Sequence, residues 1–227
     1  MKKFPRLIVF EGSDGSGKAT QAQLLFDRLE KGKIVNARKI SFPNYDSDSS
    51  ALVKMYLKGD LGNNPAEINP YASAAFYAAD RFITFQTQIK KDFLSGTTLI
   101  SDRYVPSNMI HQAVKIENES ERDKFLNWLD DLEYEKFQLP RPSLVFLLDM
   151  NPEMTQKLMK LRGGAADIHE KDLEYQKRCH ELSLELAKKF GWKIIHCMNR
   201  DELRKTWEIQ DEIYSIIEMS MLDRSRK

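Results

Sequence analysis

Residues Gly12-Ser13-Asp14-Gly15-Ser16-Gly17-Lys18 come just after the apolar run Leu7-Ile8-Val9-Phe10, with Glu11 between, and lead into a helical pattern that continues through Ala19-Thr20. This is the G-x-x-x-x-G-K spacing of a phosphate-binding loop in its strand-loop-helix setting. Glycines let the backbone fold around an oxyanion with its N–H groups turned inward, and the next helix adds the positive end of its dipole. Lys18 then supplies a mobile point charge for the β- and γ-phosphates of a nucleotide. An ordinary glycine turn would leave a lysine at this spacing unexplained. The position after the lysine holds Ala19 where a magnesium-reaching hydroxyl is usual, and Thr20 carries the hydroxyl one residue on.

Four further clusters have side chains suited to a phosphate or a base. Ser101-Asp102-Arg103-Tyr104 follows the apolar Thr98-Leu99-Ile100, where a carboxylate at a strand tip can hold a metal-bound water and an arginine can clamp a phosphate; the alternative is a strand-end ion pair. Tyr77 and Arg81 stand four apart on a helical pattern and share a face, so an aromatic can stack a base while the guanidinium meets its phosphate or carbonyl; otherwise Tyr77 is core and Arg81 a solvated charge. Ser41-Phe42-Pro43-Asn44-Tyr45 leaves a strand through a stiff proline, with Phe42 as easily core as ligand wall. Arg162-Gly163-Gly164 leads into Asp167-Ile168-His169-Glu170, a loop-like stretch from which Arg162 could act as a cis arginine or simply face solvent. The four histidines share no ligand spacing, and no serine or cysteine sits in a nucleophile elbow.

These residues need elements to hold them. Candidate strands are Leu7 to Phe10, Ile34 to Phe42, Thr98 to Ser101, Leu144 to Asp149 and Lys193 to Cys197. Helical patterns cover Lys18 to Leu29, Pro70 to Leu94, Glu119 to Leu132, Pro152 to Leu161, Asp172 to Phe190 and Asp201 to Met219. Short apolar strands alternating with amphipathic helices imply a parallel sheet with helices on both faces, and ligands beyond the carboxyl ends of the strands. Glu11 to Thr20, Ser41 to Asp46, Asp102 to Ser107 and Asp149 to Pro152 then share one rim. The chain of 227 residues fits a single domain over 1–227, with a short lid at about 160–172. With 35 basic and 34 acidic side chains the net charge is +1, which leaves out a broad nucleic-acid footprint and favours small anionic ligands. Cys179 and Cys197 lie far apart and read as structural thiols of a reducing compartment. No apolar stretch approaches the ~20 residues that span a bilayer, so no membrane association and a cytoplasmic location are expected.

Together, the loop through Gln21, the Phe42-Pro43-x-Tyr45 segment, Tyr77-x-x-Asp80-Arg81, Asp102-Arg103-Tyr104 with Ser107-Asn108, and Asp167-x-x-Glu170 resemble the thymidylate kinases, in that family's order. The resemblance runs from Leu7 to about Cys197. It implies a P-loop NTPase type three-layer α/β/α fold with a five-stranded parallel sheet and a short lid, a homodimer, and transfer of the γ-phosphoryl of ATP to dTMP with Mg2+. By the same resemblance Gly12, Ser13, Asp14, Gly15, Ser16, Gly17, Lys18, Ala19 and Thr20 cradle ATP. Asp14 also accepts from the dTMP 3'-hydroxyl, Tyr77 stacks on thymine, and Arg81 contacts the acceptor nucleotide. Ser107 and Asn108 sit at the acceptor, with Asn108 reading the base edge, while Phe42, Pro43 and Tyr45 wall the site and His111 lies near the sugar C2'. Arg103 clamps the acceptor phosphate, Asp102 serves the magnesium shell, and Glu170, with Asp167, faces metal or acceptor from the lid. Gly15 stands where some family members carry a catalytic arginine, which points to Arg162 for that charge. The alternatives are another nucleoside monophosphate or deoxynucleoside kinase, or a non-catalytic P-loop nucleotide-binding protein, and an acceptor clamp speaks against the last.

Overall fold

A computed structural model describes residues 4–62, 64, 68–162, 172–200 and 202–223, with backbone only at 162 and 223. Strand β1 (Leu7–Glu11) is buried along its whole length. Its side chains alternate between two cores: Leu7 and Val9 join Phe125 and Leu182 on one face, while Ile8 and Phe10 join Leu25, Phe146 and Ile213 on the other. A strand apolar on both faces belongs in the middle of a sheet covered twice by helices. Accordingly β1 lies between β3 (Thr98–Asp102) and β4 (Leu144–Asp149), with β2 (Ala37–Ser41) and β5 (Lys193–His196) outside them, in the order β2-β3-β1-β4-β5. Every pairing is parallel, with Leu7 opposite Leu99 and Ile8 opposite Leu144.

The edge strand β2 departs from the expected pattern. It is half-exposed and carries Arg38 and Lys39, which suits a strand paired on one side only and protects it from further pairing. The chain runs from β1 out to β2 and back to β3 on one side, then crosses β1 to β4 and β5 on the other, so the crevice at the carboxyl end of β1 is the switch point at which such sheets bind ligands.

Helix α1 (Lys18–Lys31) turns Gln21, Ala22, Leu25 and Leu29 to the sheet. Helix α2 (Ala51–Lys58) precedes α3 (Pro70–Thr84), which runs on through a π-helical turn, Phe85–Ile89, into α4 (Lys90–Leu94). Helix α5 (Val105–Ala113) starts right after the β3 tip. Helix α6 (Glu119–Asp130) also passes into a π turn, Asp131–Lys136. Then come α7 (Pro152–Arg162) and α8 (Leu173–Phe190), the latter capped by Asp172, whose side chain accepts the Tyr175 N–H at 2.9 Å. The last helix, α9 (Thr206–Asp223), packs on α1 and starts later than Asp201 because β6 (Met198–Asn199) and β7 (Glu202–Leu203) pair first as a hairpin. Helices α2 and α5 lie outside the helical patterns read in the sequence: at eight and nine residues each is too short for a strong periodic signal. Among the described residues no helix is long and apolar enough to cross a membrane.

Candidate active site

The loop after β1 wraps as its glycines predict. A Cβ on Gly12 (φ 142°) would stand 2.7 Å from the Leu148 carbonyl oxygen, and one on Gly15 (φ 84°) 2.9 Å from that of Thr155. Lys18, only 6 % exposed, folds back so that Nζ donates to the Ser13 carbonyl at 2.8 Å, with Asp14 Oδ1 at 3.6 Å. Burial, and then Arg103, pull its ammonium below the ordinary lysine value against the opposing pull of Asp14, Asp102 and Glu11. An incoming polyphosphate would reverse that balance.

Arg103 leaves the tip of β3 in the left-handed region (φ 66°), which aims its side chain across the crevice. There Nη2 donates to Asp14 Oδ1 at 2.6 Å and Nη1 to Ser107 Oγ at 3.1 Å, with His111 Nε2 at 3.3 Å. Since a guanidinium only donates, His111 Nε2 accepts and its ring proton sits on Nδ1, facing Cys179 Sγ at 3.7 Å. Burial works against both ions of the Arg103–Asp14 pair, but their attraction wins: Arg103, then Lys18, hold the Asp14 carboxyl far below the usual carboxylate range, and Arg103 is raised.

Beneath this pair lies Glu11, a residue whose role the sequence did not disclose. It is fully buried and accepts the Tyr104 N–H at 3.0 Å, the Ser107 N–H at 3.1 Å and the Ser107 hydroxyl at 2.6 Å. Burial raises its pKa, opposed by Arg103 and these hydrogen bonds. Two of its three partners are amides at the start of α5, so β1 caps the helix that carries Ser107, Asn108 and His111. The available signal was a charged residue ending an otherwise apolar strand directly before the loop.

At the far end of the crevice, α3 presents Tyr77 and Arg81. Tyr77 meets Tyr56 edge to face, with ring centroids 6.2 Å apart. Arg81 is neither solvated nor free: it is 2 % exposed, and Nε and Nη2 donate to the two carboxylate oxygens of Glu133 at 2.6 and 2.5 Å. Burial opposes its charge, but Glu133 raises its pKa nonetheless. Asn108 Nδ2 donates to the Ala74 carbonyl at 3.0 Å and to Glu133 at 3.2 Å. Buried Asp80, beside Arg81, accepts the Asn44 N–H at 2.9 Å and the Ser49 hydroxyl at 2.6 Å, tying the segment after β2 to α3. That segment contains the cis Phe42–Pro43 bond. Phe42 is buried against Tyr104, while Tyr45 is 51 % exposed at the rim.

One cavity of about 350 Å³ joins the two ends. It is lined by Asp14, Gly15, Gly17, Lys18, Ala19 and Thr20 from the loop, by Phe42, Pro43 and Tyr45, by Tyr77 and Arg81, and by Asp102, Arg103, Ser107, Asn108 and His111. Gly12, Ser13 and Ser16 are in the same loop; Gly12 and Ser13 border a smaller hollow behind it with His111 and Cys179. The profile of the thymidylate kinase family matches residues 10–206, the span that builds this cavity. The chain belongs to the thymidylate kinase family. It is 31 % identical over 220 residues to a probable thymidylate kinase of Thermococcus onnurineus, covering 96 % of this chain and 99 % of that one. With the thymidylate kinase of Mycobacterium tuberculosis it shares 31 % identity over 193 residues, 82 % of this chain and 87 % of that one. Among solved structures, the thymidylate kinase of Candida albicans superposes with a TM-score of 0.72 at 24 % identity, covering 95 % of this chain and 92 % of that one, a likeness of fold.

Two further features bear on how a thymidylate kinase family member would use this cavity. Asp102 lines it with Oδ1 buried and without a hydrogen bond among the described residues, and Thr20 lines the same cavity. Hard oxygen donors of this kind fit Mg2+, which keeps several waters and substrate phosphates in its shell. Among the described residues no three acidic, histidine or cysteine side chains gather into a metal site. The Arg162 side chain, Asp167 and Glu170 lie outside the described residues. Cys179 and Cys197 are free, buried thiols, each pushed up to about 12 chiefly by burial, which makes them inert.

Proposed function

We propose that this protein transfers the γ-phosphoryl group of ATP to dTMP, giving dTDP and ADP. The observation that carries the reading is a guanidinium, Arg103, aimed across the cavity from the phosphate loop and held by a carboxylate in that loop. A protein that only binds ATP has no use for a second phosphate clamp. The acceptor oxygen of dTMP is already anionic, so little general base is required, and repulsion between two phosphates is the main obstacle. Loop residues Gly12 to Thr20 hold the ATP phosphates, and Lys18 exchanges the Ser13 carbonyl for a phosphate oxygen. Arg103 clamps the acceptor phosphate and aligns it in line with the leaving ADP. Asp14, released from Arg103, accepts from the 3'-hydroxyl of dTMP and so links the two substrates. Asp102 and Thr20 would hold Mg2+, which offsets charge on the transferred phosphoryl group when bound. Because Glu133 already neutralises Arg81, that guanidinium serves the base end and not the phosphates. Tyr77 stacks on thymine, Asn108 and Arg81 face its edge, Phe42, Pro43 and Tyr45 wall the acceptor, and His111 lies near C2'.

The rest of the assignment follows the same family logic. By that logic a lid at about 160–172, of which only the end of α7 and Asp172 are described, would carry Arg162 as its cationic finger and Glu170 for the metal, on one catalytic domain. The protein acts in the cytoplasm as a homodimer, a state for which exposed Leu52 and Met55 on α2 and Ile83 on α3 offer apolar surface. Coupled ADP release measured with dTMP, dUMP, dGMP, UMP and AMP tests the central claim. dTMP should be the best acceptor and dUMP a weaker one, since a buried methyl is worth only ~1 to 3 kcal/mol. Equal or better turnover of AMP or UMP overturns it. For the lid, Arg162→Ala should lower kcat by ~10³, with Lys160→Ala as control.

A further inference from the structure

The base end holds a carboxylate that none of these steps uses. Glu133 is fully buried in the π turn after α6, where it accepts two hydrogen bonds from Arg81 and one from Asn108 Nδ2. An ionised carboxylate only accepts, and so does the Ala74 carbonyl on the other side of that nitrogen. Both neighbours therefore demand the NH2 group, which fixes the Asn108 amide in one of its two orientations. Its Oδ1 is buried and has no hydrogen-bond partner among the described residues. Arg81 is fixed in the same way: Nε and Nη2 are engaged, leaving Nη1 without a hydrogen bond among the described residues. Both residues line the cavity together with Tyr77. What remains for a ligand is one acceptor, Asn108 Oδ1, and one donor, Arg81 Nη1.

We propose that Glu133 is the positioning residue that sets base choice, by holding Asn108 as an acceptor and Arg81 as a donor and so admitting a base with an imide edge. The inference rests on the acceptor reading given above. A thymine or uracil ring offers N–H beside a carbonyl oxygen, which matches acceptor and donor. A cytosine ring offers a bare nitrogen beside an amino group, which sets acceptor against acceptor and donor against donor. Replacing Glu133 by glutamine removes one of the two acceptors that demand the Asn108 NH2 group and puts an N–H in its place, so only the Ala74 carbonyl still opposes turning the amide over. In the fraction turned over the NH2 group faces the ligand, and the preference relaxes.

The test is kcat/KM for dTMP and for dCMP, in wild type, Glu133→Gln and Glu133→Asp, with thermal melts to confirm folding. Sites that bond a buried polar edge reject the mismatched analogue by ~10⁴, so wild type should favour dTMP strongly and Glu133→Gln should cut the dTMP/dCMP ratio by about tenfold or more. Glu133→Asp keeps the counter-charge for Arg81 but is one methylene short of reaching both partners, so its ratio should fall by about threefold or more. It carries the test if the glutamine variant does not fold. A role limited to bracing the fold would depress both substrates alike, and an unchanged ratio in a folded variant overturns the proposal. If wild type fails to phosphorylate dTMP at all, the acceptor reading falls and this inference with it. A wild type that is active on dTMP but shows no discrimination against dCMP removes this inference alone.

Discussion

At the phosphate end of the cavity Arg103 meets Asp14, a carboxylate 41 % exposed, whereas at the base end Arg81 meets Glu133, which is wholly buried. Both contacts are short, at 2.6 and 2.5 Å, so geometry alone does not separate them. Their surroundings do. A carboxylate that water can reach gives up its partner at small cost, and a substrate phosphate can take its place. A buried pair cannot be exchanged, because removing one ion strands the other in a medium that solvates it poorly. On the proposed assignment, the first pair is a resting position for groups that must move, and the second is part of the frame against which a base is measured.

The largest effect should come from breaking the buried pair. Arg81→Met is expected to lower unfolding free energy by about 3–5 kcal/mol in a denaturant titration, and adding Glu133→Leu should recover most of that loss without recovering activity. Next, Lys18→Ala and Arg103→Ala should each lower kcat by ~10² or more, on the order of 3 kcal/mol of transition-state stabilisation, with melting temperatures close to wild type. An Arg103→Ala enzyme with normal kcat and only a raised KM would make Arg103 a uniform binder and blur the contrast.

A smaller effect concerns Lys115, whose ammonium donates to the Tyr56 hydroxyl at 3.0 Å and to Ser73 Oγ at 3.2 Å behind Tyr77. Burial pulls its pKa down to about 8 from 10.5. Between those values the unfolded chain binds a proton that the folded one has released, so this residue's penalty is complete below about 8 and fades as pH rises to 10.5. Lys115→Met should therefore stabilise the protein at pH 7 by roughly 1–2 kcal/mol after the lost hydrogen bonds, with the gain in melting temperature disappearing toward pH 10.5. The smallest loss is expected for Asp14→Asn, well short of that in Arg81→Met, because water reaches this position and the asparagine oxygen still accepts from Arg103. A loss as large as that of Arg81→Met would erase the distinction between the two ends.

The same contrast explains what the sequence disclosed. The phosphate end is written contiguously, Gly12 to Thr20 and Asp102 to Ser107, each following an apolar strand, and strands announce themselves by their composition. The base end draws on three separate helical stretches, and Glu133 lies 52 residues from Arg81. Within Asp130 to Lys136 nothing sets Glu133 apart from Glu135, which pairs with Arg141 at the surface. A π turn there breaks the 3.6-residue count, so periodicity could not tell the inward carboxylate from the outward one. Helix α5 was hidden by brevity, although its residues Ser107, Asn108 and His111 were recognised. Arg38 and Lys39 were the signal that β2 is an edge, since charged side chains suit a strand paired on one side only.

The buried carboxylate of Glu11 has a consequence for timing. It ends the strand that opens into the phosphate loop, and it caps the helix that supplies much of the acceptor wall. Donor cradle and acceptor wall thus rest on one foundation, and their separation is fixed before any nucleotide arrives. In-line transfer loses rate steeply when the reacting oxygens are misplaced by ~1 Å, so a gap set in advance by folding spares each catalytic cycle the search for it.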